Sequence, residues 1–240
     1  MKHDLSVIIP TYKEETRIER CIKESLFFLR NNEKIKNFEI IFVADDAGDK
    51  TIDIIKSNLK ENKELKLIVN PKREQKGGSV KIGMLEAKYD QIVFFDVDLS
   101  TPLYEINESL DLIEKYDIVI GSRGMKESKI EKKYFAIFLS QCFSLLKLLV
   151  VGLKFKDTQC GFKMFKRKTM PIFEKQRIKS SFFDVEILYI AKKMKYTIKE
   201  KPITWIDSDA SNFNQGKVVI SFLKELIRMK WYALKGYYNQ

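Results

Sequence analysis

The stretch IVFFDVDLSTP (92–102) places two aspartates one residue apart, directly after an apolar run. Two carboxylates withdrawn from water in one cleft either share a proton or bind a cation, because their charges repel each other strongly. An extended backbone would direct Asp96 and Asp98 to one side and Val97 to the other. Oxygen ligands of this kind suit a hard divalent ion, Mg²⁺ or Mn²⁺, which keeps coordination positions for water and substrate phosphates. The spacing therefore predicts a metal site at Asp96 and Asp98, and the alternative is that they cap the following helix.

Histidine and cysteine chemistry is disfavoured by the composition. The chain has one histidine, His3, near its start, and its cysteines, Cys21, Cys142 and Cys160, are widely spaced. This pattern matches neither a zinc site nor a disulfide framework, and it is typical of a reducing compartment. The apolar run near the start is too short for a signal peptide, so we expect a cytoplasmic protein. Any chemistry should then depend on carboxylates, lysines, arginines and a hard metal ion.

Cationic residues occur with paired glycines in REQKGGSVKIG (73–83). Arg73 and Lys76 could bind a diphosphate there, together with backbone N–H groups at a helix start, although an ordinary helix start explains the glycines equally well. The whole chain carries 44 Lys and Arg against 33 Asp and Glu, a formal charge of +11. This excess favours an anionic partner, namely nucleic acid, acidic lipid or a phosphorylated small molecule, with a lysine-rich solvated surface as the alternative.

The elements that must position these residues alternate along the chain. Apolar runs predict buried strands at 5–9, 38–44, 65–69, 91–95 and 117–121, and helical spacing predicts helices at 14–30, 50–60, 80–88 and 104–115. Strands that are apolar on both faces and alternate with helices indicate an α/β fold with a mostly parallel sheet covered on both sides. Ligands bind such sheets at the carboxyl ends of the strands. Asp45 and Asp46 end the second strand and Asp96 and Asp98 follow the fourth, so both pairs lie where a ligand is expected.

Several longer motifs follow one another along the chain: LSVIIPTYKEETRI from residue 5, VADD, QKGGSVKIG, DVDLSTP, GSR, DTQCGFKMF (157–165), FFDVEILYIAKK (182–193) and PITW (202–205). On these motifs the chain resembles the family 2 glycosyltransferases of the GT-A fold, most closely the dolichyl-phosphate β-glucosyltransferases and related polyprenyl-phosphate glycosyltransferases. The resemblance implies a single GT-A domain over 1–240. Its nucleotide-binding half would be 1–123, its acceptor-side half 124–214, and an amphipathic helix would occupy 215–240.

The resemblance also implies a nucleotide-sugar donor, UDP-glucose in the first instance, bound with Mg²⁺ or Mn²⁺. The donor-binding residues that it assigns are Pro10, Tyr12, Glu14, Asp45, Arg73, Lys76, Asp96 and Lys132. Asp96 and Asp98 would hold the metal, and Asp98 would act in catalysis because the metal stabilises the departing nucleoside diphosphate. The turn Asp45-Asp46-Ala47-Gly48 departs from the family's Asp-Asp-Gly-Ser, and Ser211-Asn212 replaces its later Ser-Lys pair. GDP-mannose or another donor therefore remains an alternative.

Further catalytic roles are implied for Arg123, Gln159 and Asp184 on the acceptor side. Arg123 and Lys132 would contact a donor or acceptor phosphate. Gln159 and Asp184 would lie beside the sugar and the acceptor, with Asp184 orienting the acceptor or acting as a formal base. Glu186 would lie there too, or would instead be buried against a lysine. The expected reaction is one in-line displacement that inverts an α-linked donor to a β-linked sugar phosphate. A polyprenyl or dolichyl phosphate needs no strong base, because its oxygen is already anionic.

Two apolar segments are too polar on one side for ordinary membrane spans. In 134–151, polar residues recur at helical spacing, which favours a helix at a membrane surface over core packing or a true span. In 216–238, basic residues follow one face and aromatic residues cluster near the end, which favours a helix on anionic lipid over one that caps the core. The residues concerned are Ser140, Gln141, Ser144 and Lys147; Lys217, Ser221, Lys224, Arg228 and Lys235; and Trp231, Tyr232, Tyr237 and Tyr238. We therefore expect a peripheral protein on the cytoplasmic face of a membrane.

Two alternative functions remain open. An enzyme of this fold could act on a soluble or polysaccharide hydroxyl acceptor instead of a lipid phosphate. A nucleic-acid-binding module would also explain the positive charge, but the chain has no aromatic-interleaved basic strand and no recognised motif of that class.

Overall fold

The computed structural model describes residues 2–130, 146–206 and 215–239 of the chain. Its first half alternates strands and helices: β1 (His3–Thr11), α1 (Ile18–Arg30), β2 (Ile35–Asp45), α2 (Thr51–Leu59), β3 (Leu65–Asn70), α3 (Gln75–Glu86), β4 (Gln91–Phe94), α4 (Glu105–Ile113) and β5 (Ile118–Ser122). The predicted strands and helices of this half are confirmed, with shifted boundaries. The largest shift is in α3, which begins five residues before the predicted start at residue 80.

The second half has shorter and more varied elements. They are β6 (Lys129–Ile130), helical residues 146–151 (α5), β7 (Lys163–Lys166), a 3₁₀ turn (Arg167–Thr169), α6 (Pro171–Lys175), α7 (Phe183–Lys193), β8 (Ile198–Pro202), β9 (Thr204–Trp205) and α8 (Gln215–Leu234). Pro171 starts α6, where its missing N–H costs no helical hydrogen bond. Across the described ranges, no helix has both the length and the apolar character that crossing a bilayer requires.

One seven-stranded sheet connects the two halves, in the order β3-β2-β1-β4-β7-β5-β8. All neighbours are parallel except β7, which runs antiparallel to both β4 and β5. The predicted mostly parallel sheet flanked by helices is therefore confirmed. β7 is absent from the predicted strands, because KMFK has only four residues and starts with a lysine. β6 and β9 form a separate two-stranded sheet.

The core lies on both faces of this sheet, because successive residues of each strand point to opposite sides. Ile8 of β1 belongs to the apolar cluster that also contains residues of α3, α7 and α8. Val7 and Ile9 belong to the opposite cluster, which contains residues of α1 and α4. Because the central strands are buried on both faces, their residues form continuous apolar runs. Polar residues follow where these strands reach the edge of the sheet.

Candidate active site

A cavity of about 280 Å³ opens at the carboxyl ends of β1, β2 and β4. The first turns of α3 and Ser181, just before α7, complete its walls. The sequence-predicted residues that line it are Pro10, Tyr12, Glu14, Asp45, Arg73, Lys76, Asp96 and Asp98. The fold thus brings the predicted donor and metal residues of the first half together at the edge where a parallel sheet binds its ligand.

Asp96 lies between a lysine and a glycine. Lys76 Nζ is 2.6 Å from Asp96 Oδ1, and the side chains are 27% and 37% exposed. On the other side, a Cβ added at Gly161 would lie 2.0 Å from Asp96 Oδ2. Only glycine therefore allows the carboxylate to approach this backbone so closely. Burial alone would lower the pKa of Lys76, but Asp96 and Asp184 outweigh it and the pKa is raised.

Asp98 follows in a turn rather than in the extended backbone that the sequence predicted. β4 ends at Phe94, and Leu99 has a positive φ of 54°. The side-chain separation is nevertheless as predicted, because Val97 is buried while Asp96 and Asp98 are partly exposed. Asp98 Oδ1 accepts the backbone N–H of Ser100 at 2.9 Å, which fixes the carboxylate within the turn. This hydrogen bond closes a turn within the DLS segment and does not cap the following helix, since α4 begins at Glu105 and its N-cap residue is Tyr104.

The donor set fits a divalent ion that a substrate completes. Among the described residues, no group of three or more His, Cys, Asp or Glu side chains could hold a metal by itself. Mg²⁺ and Mn²⁺ are commonly bound by one or two carboxylates plus substrate phosphates, and Asp96 and Asp98 supply two at one cavity wall. Glu14 adds to the negative potential there. Burial raises its pKa, Arg17 acts against this, and the charges of Asp98 and Asp96 raise it further.

Tyr12 and Arg73 form a cationic and aromatic wall of the same cavity. The Arg73 guanidinium carbon lies 4.4 Å from the centroid of the Tyr12 ring. Stacking of this kind is favourable when the cation faces the ring. The pair places an aromatic ring and a positive charge in the cavity wall, and both groups suit a nucleoside diphosphate.

Asp45 has an organising role that the sequence did not indicate. It is 5% exposed, and its two oxygens accept the backbone N–H groups of Glu74 and Gln75 at 3.0 and 2.7 Å. Asn70 Nδ2 donates to Oδ1 at 2.7 Å. Asp45 therefore fixes the turn that leads from β3 into α3, and with it the position of Lys76. Its contact with a base or ribose stays a prediction.

The paired glycines have a packing reason. A Cβ at Gly77 would lie 2.6 Å from Cβ of Phe183, and a Cβ at Gly78 would lie 2.8 Å from Cβ of Glu74. The N–H of Gly77 donates to the carbonyl of Lys179 at 2.8 Å, so it does not point to a ligand. The expectation of phosphate-binding donors at Gly77 is wrong for this reason, and the alternative of an ordinary helix start is the better one.

Asp184 lies below the cavity surface instead of lining it. It is 2% exposed and forms an ion pair with Lys163, which is fully buried. Lys163 also donates to the carbonyl of Cys160 at 2.5 Å. Burial raises the pKa of Asp184, and Lys163 and Lys76 act against that rise. The predicted role beside the acceptor is untested, and the geometry gives Asp184 a buried partner.

Arg123 is committed to Asp157. Its Nε and Nη2 atoms lie 2.6 and 3.1 Å from the two oxygens of that carboxylate, and its backbone N–H donates to it as well. Burial favours the neutral acid, but Arg123 outweighs burial and holds the pKa of Asp157 well below its usual range. The guanidinium is thus held by a fork-to-fork pair, and its predicted contact with a donor or acceptor phosphate stays a prediction. Gln159 donates its backbone N–H to Asp157, and among the described residues its buried Nε2 meets no hydrogen-bond acceptor.

Glu186 forms a hydrogen bond that holds the residues after α8. It accepts the backbone N–H groups of Arg177 and Ile178 and the hydroxyl of Tyr238. Its partners are therefore backbone groups and a tyrosine rather than the lysine that the sequence alternative named. Tyr238 is fully buried, so the prediction that it belongs to a surface group of aromatic residues is wrong.

Some predicted residues lie outside the described ranges. They are Lys132, Ser140, Gln141, Ser144 and the Ser211-Asn212 pair. Lys147 is described and is buried, with its ammonium 3.5 Å from the carbonyl of Lys156. The prediction that Lys147 belongs to a polar stripe on the helix surface is therefore wrong. Leu148 and Leu149 are exposed instead.

α8 has two apolar faces rather than the single one predicted. Phe222, Leu226 and Met229 are buried in the core cluster. A second set is exposed and forms what we call the outer stripe: Ile220, Leu223, Ile227, Trp231 and Leu234. Lys224, Arg228 and Lys235 follow one edge of this stripe and Lys230 the other, and all four are exposed. The core-capping alternative is therefore observed on one side of α8, and contact of the opposite side with lipid stays a prediction.

Several site residues were missed by sequence reasoning. Thr11 lines the cavity, and among the described atoms its buried Oγ1 meets no hydrogen-bond partner. Gln75, Ser79 and Ser181 also line it. Gly161 had a signal, because it lies in the DTQCGFK motif. Thr11 had none beyond its position between Pro10 and Tyr12.

Comparison with known proteins shows which family of proteins the chain resembles. The family model described as glycosyl transferase family 2 matches residues 6–171. A dolichyl-phosphate β-glucosyltransferase of Dictyostelium discoideum is 32% identical over 97% of this chain and 75% of its own length. The Saccharomyces cerevisiae protein of the same name is 30% identical over 98% of this chain and 76% of its own length.

A solved structure has the same fold. It is glucosyl-3-phosphoglycerate synthase from Mycobacterium tuberculosis, crystallised with Mn²⁺, uridine diphosphate and phosphoglyceric acid. The TM-score is 0.68 at 15% identity, covering 99% of this chain and 79% of that one. At this identity the likeness speaks for the fold and not for the substrates.

Proposed function

The chain belongs to glycosyl transferase family 2 and has the GT-A fold, and we propose that it transfers glucose from UDP-glucose to a polyprenyl phosphate such as dolichyl phosphate. The observation that carries the proposal is the cavity in which two carboxylates, Lys76 and the Tyr12–Arg73 pair meet. The relatives named for this activity match nearly the whole chain, which supports the choice of sugar and acceptor.

In this proposal the donor lies across the cavity. Tyr12 and Arg73 hold the nucleoside, and Lys76 and Arg73 compensate the diphosphate charge. Asp98, with Asp96, would hold Mg²⁺ or Mn²⁺, which when bound would stabilise the departing nucleoside diphosphate. Glu14 deepens the negative potential that attracts the ion.

The acceptor phosphate supplies the nucleophile. One of its anionic oxygens attacks the anomeric carbon as the bond from that carbon to the diphosphate breaks, and the α-linked donor becomes a β-linked product. An oxygen that is already ionised needs no base, which agrees with an Asp184 that is buried against Lys163. Asp184 would then orient Lys163 and Lys76 rather than remove a proton.

A lipid acceptor requires contact with a membrane surface. We assign that contact to the outer stripe of α8, because its exposed apolar residues lie between basic residues on both edges. Such an arrangement suits the boundary of an anionic leaflet, with apolar side chains inserted and ammonium groups at the headgroups. The cytoplasmic face is the side we propose.

Transfer is tested with UDP-[¹⁴C]glucose, dolichyl phosphate in detergent, and Mg²⁺ or Mn²⁺, followed by extraction into organic solvent. Label in the organic phase is expected, and GDP-[¹⁴C]mannose should give much less. Label that enters only water-soluble or polysaccharide products would favour the hydroxyl-acceptor alternative and overturn the lipid acceptor.

Membrane contact is tested separately by sedimentation with phosphatidylserine-containing vesicles. Ile227→Glu should weaken binding, because it places a charge in the outer stripe. Phe27→Glu is the matched control, since Phe27 is 74% exposed on α1 and outside the stripe. Equal binding by both variants would contradict the role of α8.

A further inference from the structure

Lys76 occupies the oxygen of Asp96 that a metal would use. Its Nζ lies 2.6 Å from Oδ1, while Oδ2 is the oxygen packed against Gly161. A divalent ion at Asp96 and the Lys76 ammonium therefore compete for the same carboxylate oxygen. Both side chains are partly exposed to the cavity, so exchange of one cation for the other needs no opening of the core.

The backbone of Lys76 is fixed although its side chain is long. Asp45 Oδ2 holds the N–H of Gln75 at 2.7 Å, and the N–H of Gly77 is bound to Lys179. From this fixed point a four-carbon stem can turn its ammonium between neighbouring anions. Electrostatics favours this movement of the ammonium. A dication between Asp96 and Asp98 would take the carboxylate that the ammonium pairs with, and the diphosphate would bring new negative charges to the cavity.

We propose that Lys76 is the resident counter-cation of Asp96, and that a divalent ion displaces it and directs its ammonium to the diphosphate. This rests on the proposed donor and metal, and it gives Lys76 a positioning role: it holds Asp96 in place and becomes a diphosphate ligand only after the metal binds. Ordered binding follows, with the metal or its nucleotide complex required before Lys76 reaches the diphosphate.

The test measures Mn²⁺ binding without nucleotide, by the loss of the free-ion electron paramagnetic resonance signal. Lys76→Met removes the competitor and a nearby positive charge, so Mn²⁺ should bind about three- to tenfold more tightly than to the wild type. The same variant should bind UDP about tenfold more weakly when Mn²⁺ is saturating, because a charged hydrogen bond to the diphosphate is lost. The two changes have opposite signs, whereas a merely structural role for Lys76 would weaken both.

Three further variants separate the explanations. Lys76→Arg keeps the charge and should stay within about twofold of the wild type for Mn²⁺. Lys72→Met removes an exposed lysine that does not line the cavity, and it should leave Mn²⁺ binding nearly unchanged. In an Asp96→Asn background, Lys76→Met should tighten Mn²⁺ binding clearly less than in the wild type, because the contested carboxylate is gone and only the effect of removing a nearby positive charge is left. Thermal melting checks that each variant folds.

A folded Lys76→Met variant that binds Mn²⁺ like the wild type or more weakly overturns this inference and leaves the proposed transfer intact. Absence of Mn²⁺ binding to both proteins at millimolar concentration without nucleotide would overturn the inference, because the ion alone would then not displace Lys76; the metal role in the proposed function is tested separately, by the effect of Mn²⁺ on UDP binding. Tightening in Lys72→Met as strong as in Lys76→Met would also overturn it, since the effect would then be general electrostatics.

Discussion

Charged residues that line the cavity and charged residues that were predicted to lie beside the acceptor form ion pairs of two different kinds. Around the cavity, Lys76 and Asp96 are paired but partly exposed. Away from the cavity wall, Arg123 is bound to Asp157 and Lys163 to Asp184, with both carboxylates nearly inaccessible. A buried pair serves the fold, because removing one partner leaves an uncompensated charge. A partly exposed pair can exchange partners at low cost, so burial distinguishes a binding cluster from a structural one.

The largest effect is expected at Asp98. Asp98→Asn should lower transfer by about 10³-fold, because a metal ligand next to the leaving diphosphate is lost. The free energy of unfolding should change by less than about 1 kcal/mol, since relief of carboxylate repulsion offsets the weakened turn. Activity assays and urea unfolding measure the two quantities. Asp111→Asn, on the exposed face of α4, is the control and should keep full activity.

The opposite result is expected at Asp157. Asp157→Asn should cost about 3–5 kcal/mol of unfolding free energy, because Arg123 would lose its buried anion. The wild type should lose this contribution in acid: the folded pKa of Asp157 is lowered, so its stabilisation is present above the unfolded pKa, about 3.9, and falls as the pH drops below it. Urea unfolding at pH 7 and pH 3 should show a smaller difference between variant and wild type at pH 3. A difference independent of pH would contradict this account.

Gly161→Ala tests a contact between the two regions, because Gly161 lies in the DTQCGFK motif and packs against Asp96 of the cavity wall. The added Cβ would lie 2.0 Å from Asp96 Oδ2, so the carboxylate would have to move away. Transfer should fall by about 10- to 100-fold, through misplacement of a ligand. Gly152→Ala is the comparison: its φ is +69° with nothing within 4 Å, so it should cost about 1 kcal/mol of stability without changing transfer. Equal activity of the two variants would contradict the role of Gly161.

The smallest effect is expected for an exposed pair. Lys34 lies 2.5 Å from Asp111, and the side chains are 39% and 61% exposed. Lys34→Met should change the unfolding free energy by no more than about 1 kcal/mol and leave transfer unchanged. Thermal melting at low and high salt measures it. A loss as large as that of Asp157→Asn would remove the distinction by burial.

The alternating first half was predictable because strands buried on both faces are continuous apolar runs, and their ends locate the aspartates. β7 was not, because its four residues begin with Lys163, and the partner that allows this lysine to be buried, Asp184, lies on a different element. That Pro10, Asp45 and Asp96 would share one cavity was predictable, since the first two lie at the ends of β1 and β2 and Asp96 follows β4; their roles toward a donor stay predictions.

The surroundings of Arg123 and Asp184 were harder to predict for one physical reason. A charge in a sequence does not show whether its partner is a ligand or another residue, and only the fold shows that Asp157 already holds Arg123. The sequence pattern of α8 indicated one apolar face instead of two for a similar reason. Spacing shows which residues share a side of a helix, but contacts decide which side packs on the core.

The central claim is that the carboxylates after β4 bind a dication that in turn binds the donor's diphosphate. Calorimetric titration of UDP into the wild type and Asp98→Asn, each with and without Mn²⁺, tests it most directly. The account predicts that Mn²⁺ strengthens UDP binding to the wild type by about tenfold or more, through contacts that the metal adds to the diphosphate, and that this gain disappears in Asp98→Asn. UDP affinity that is the same with and without Mn²⁺, or a gain that survives in Asp98→Asn, would contradict it.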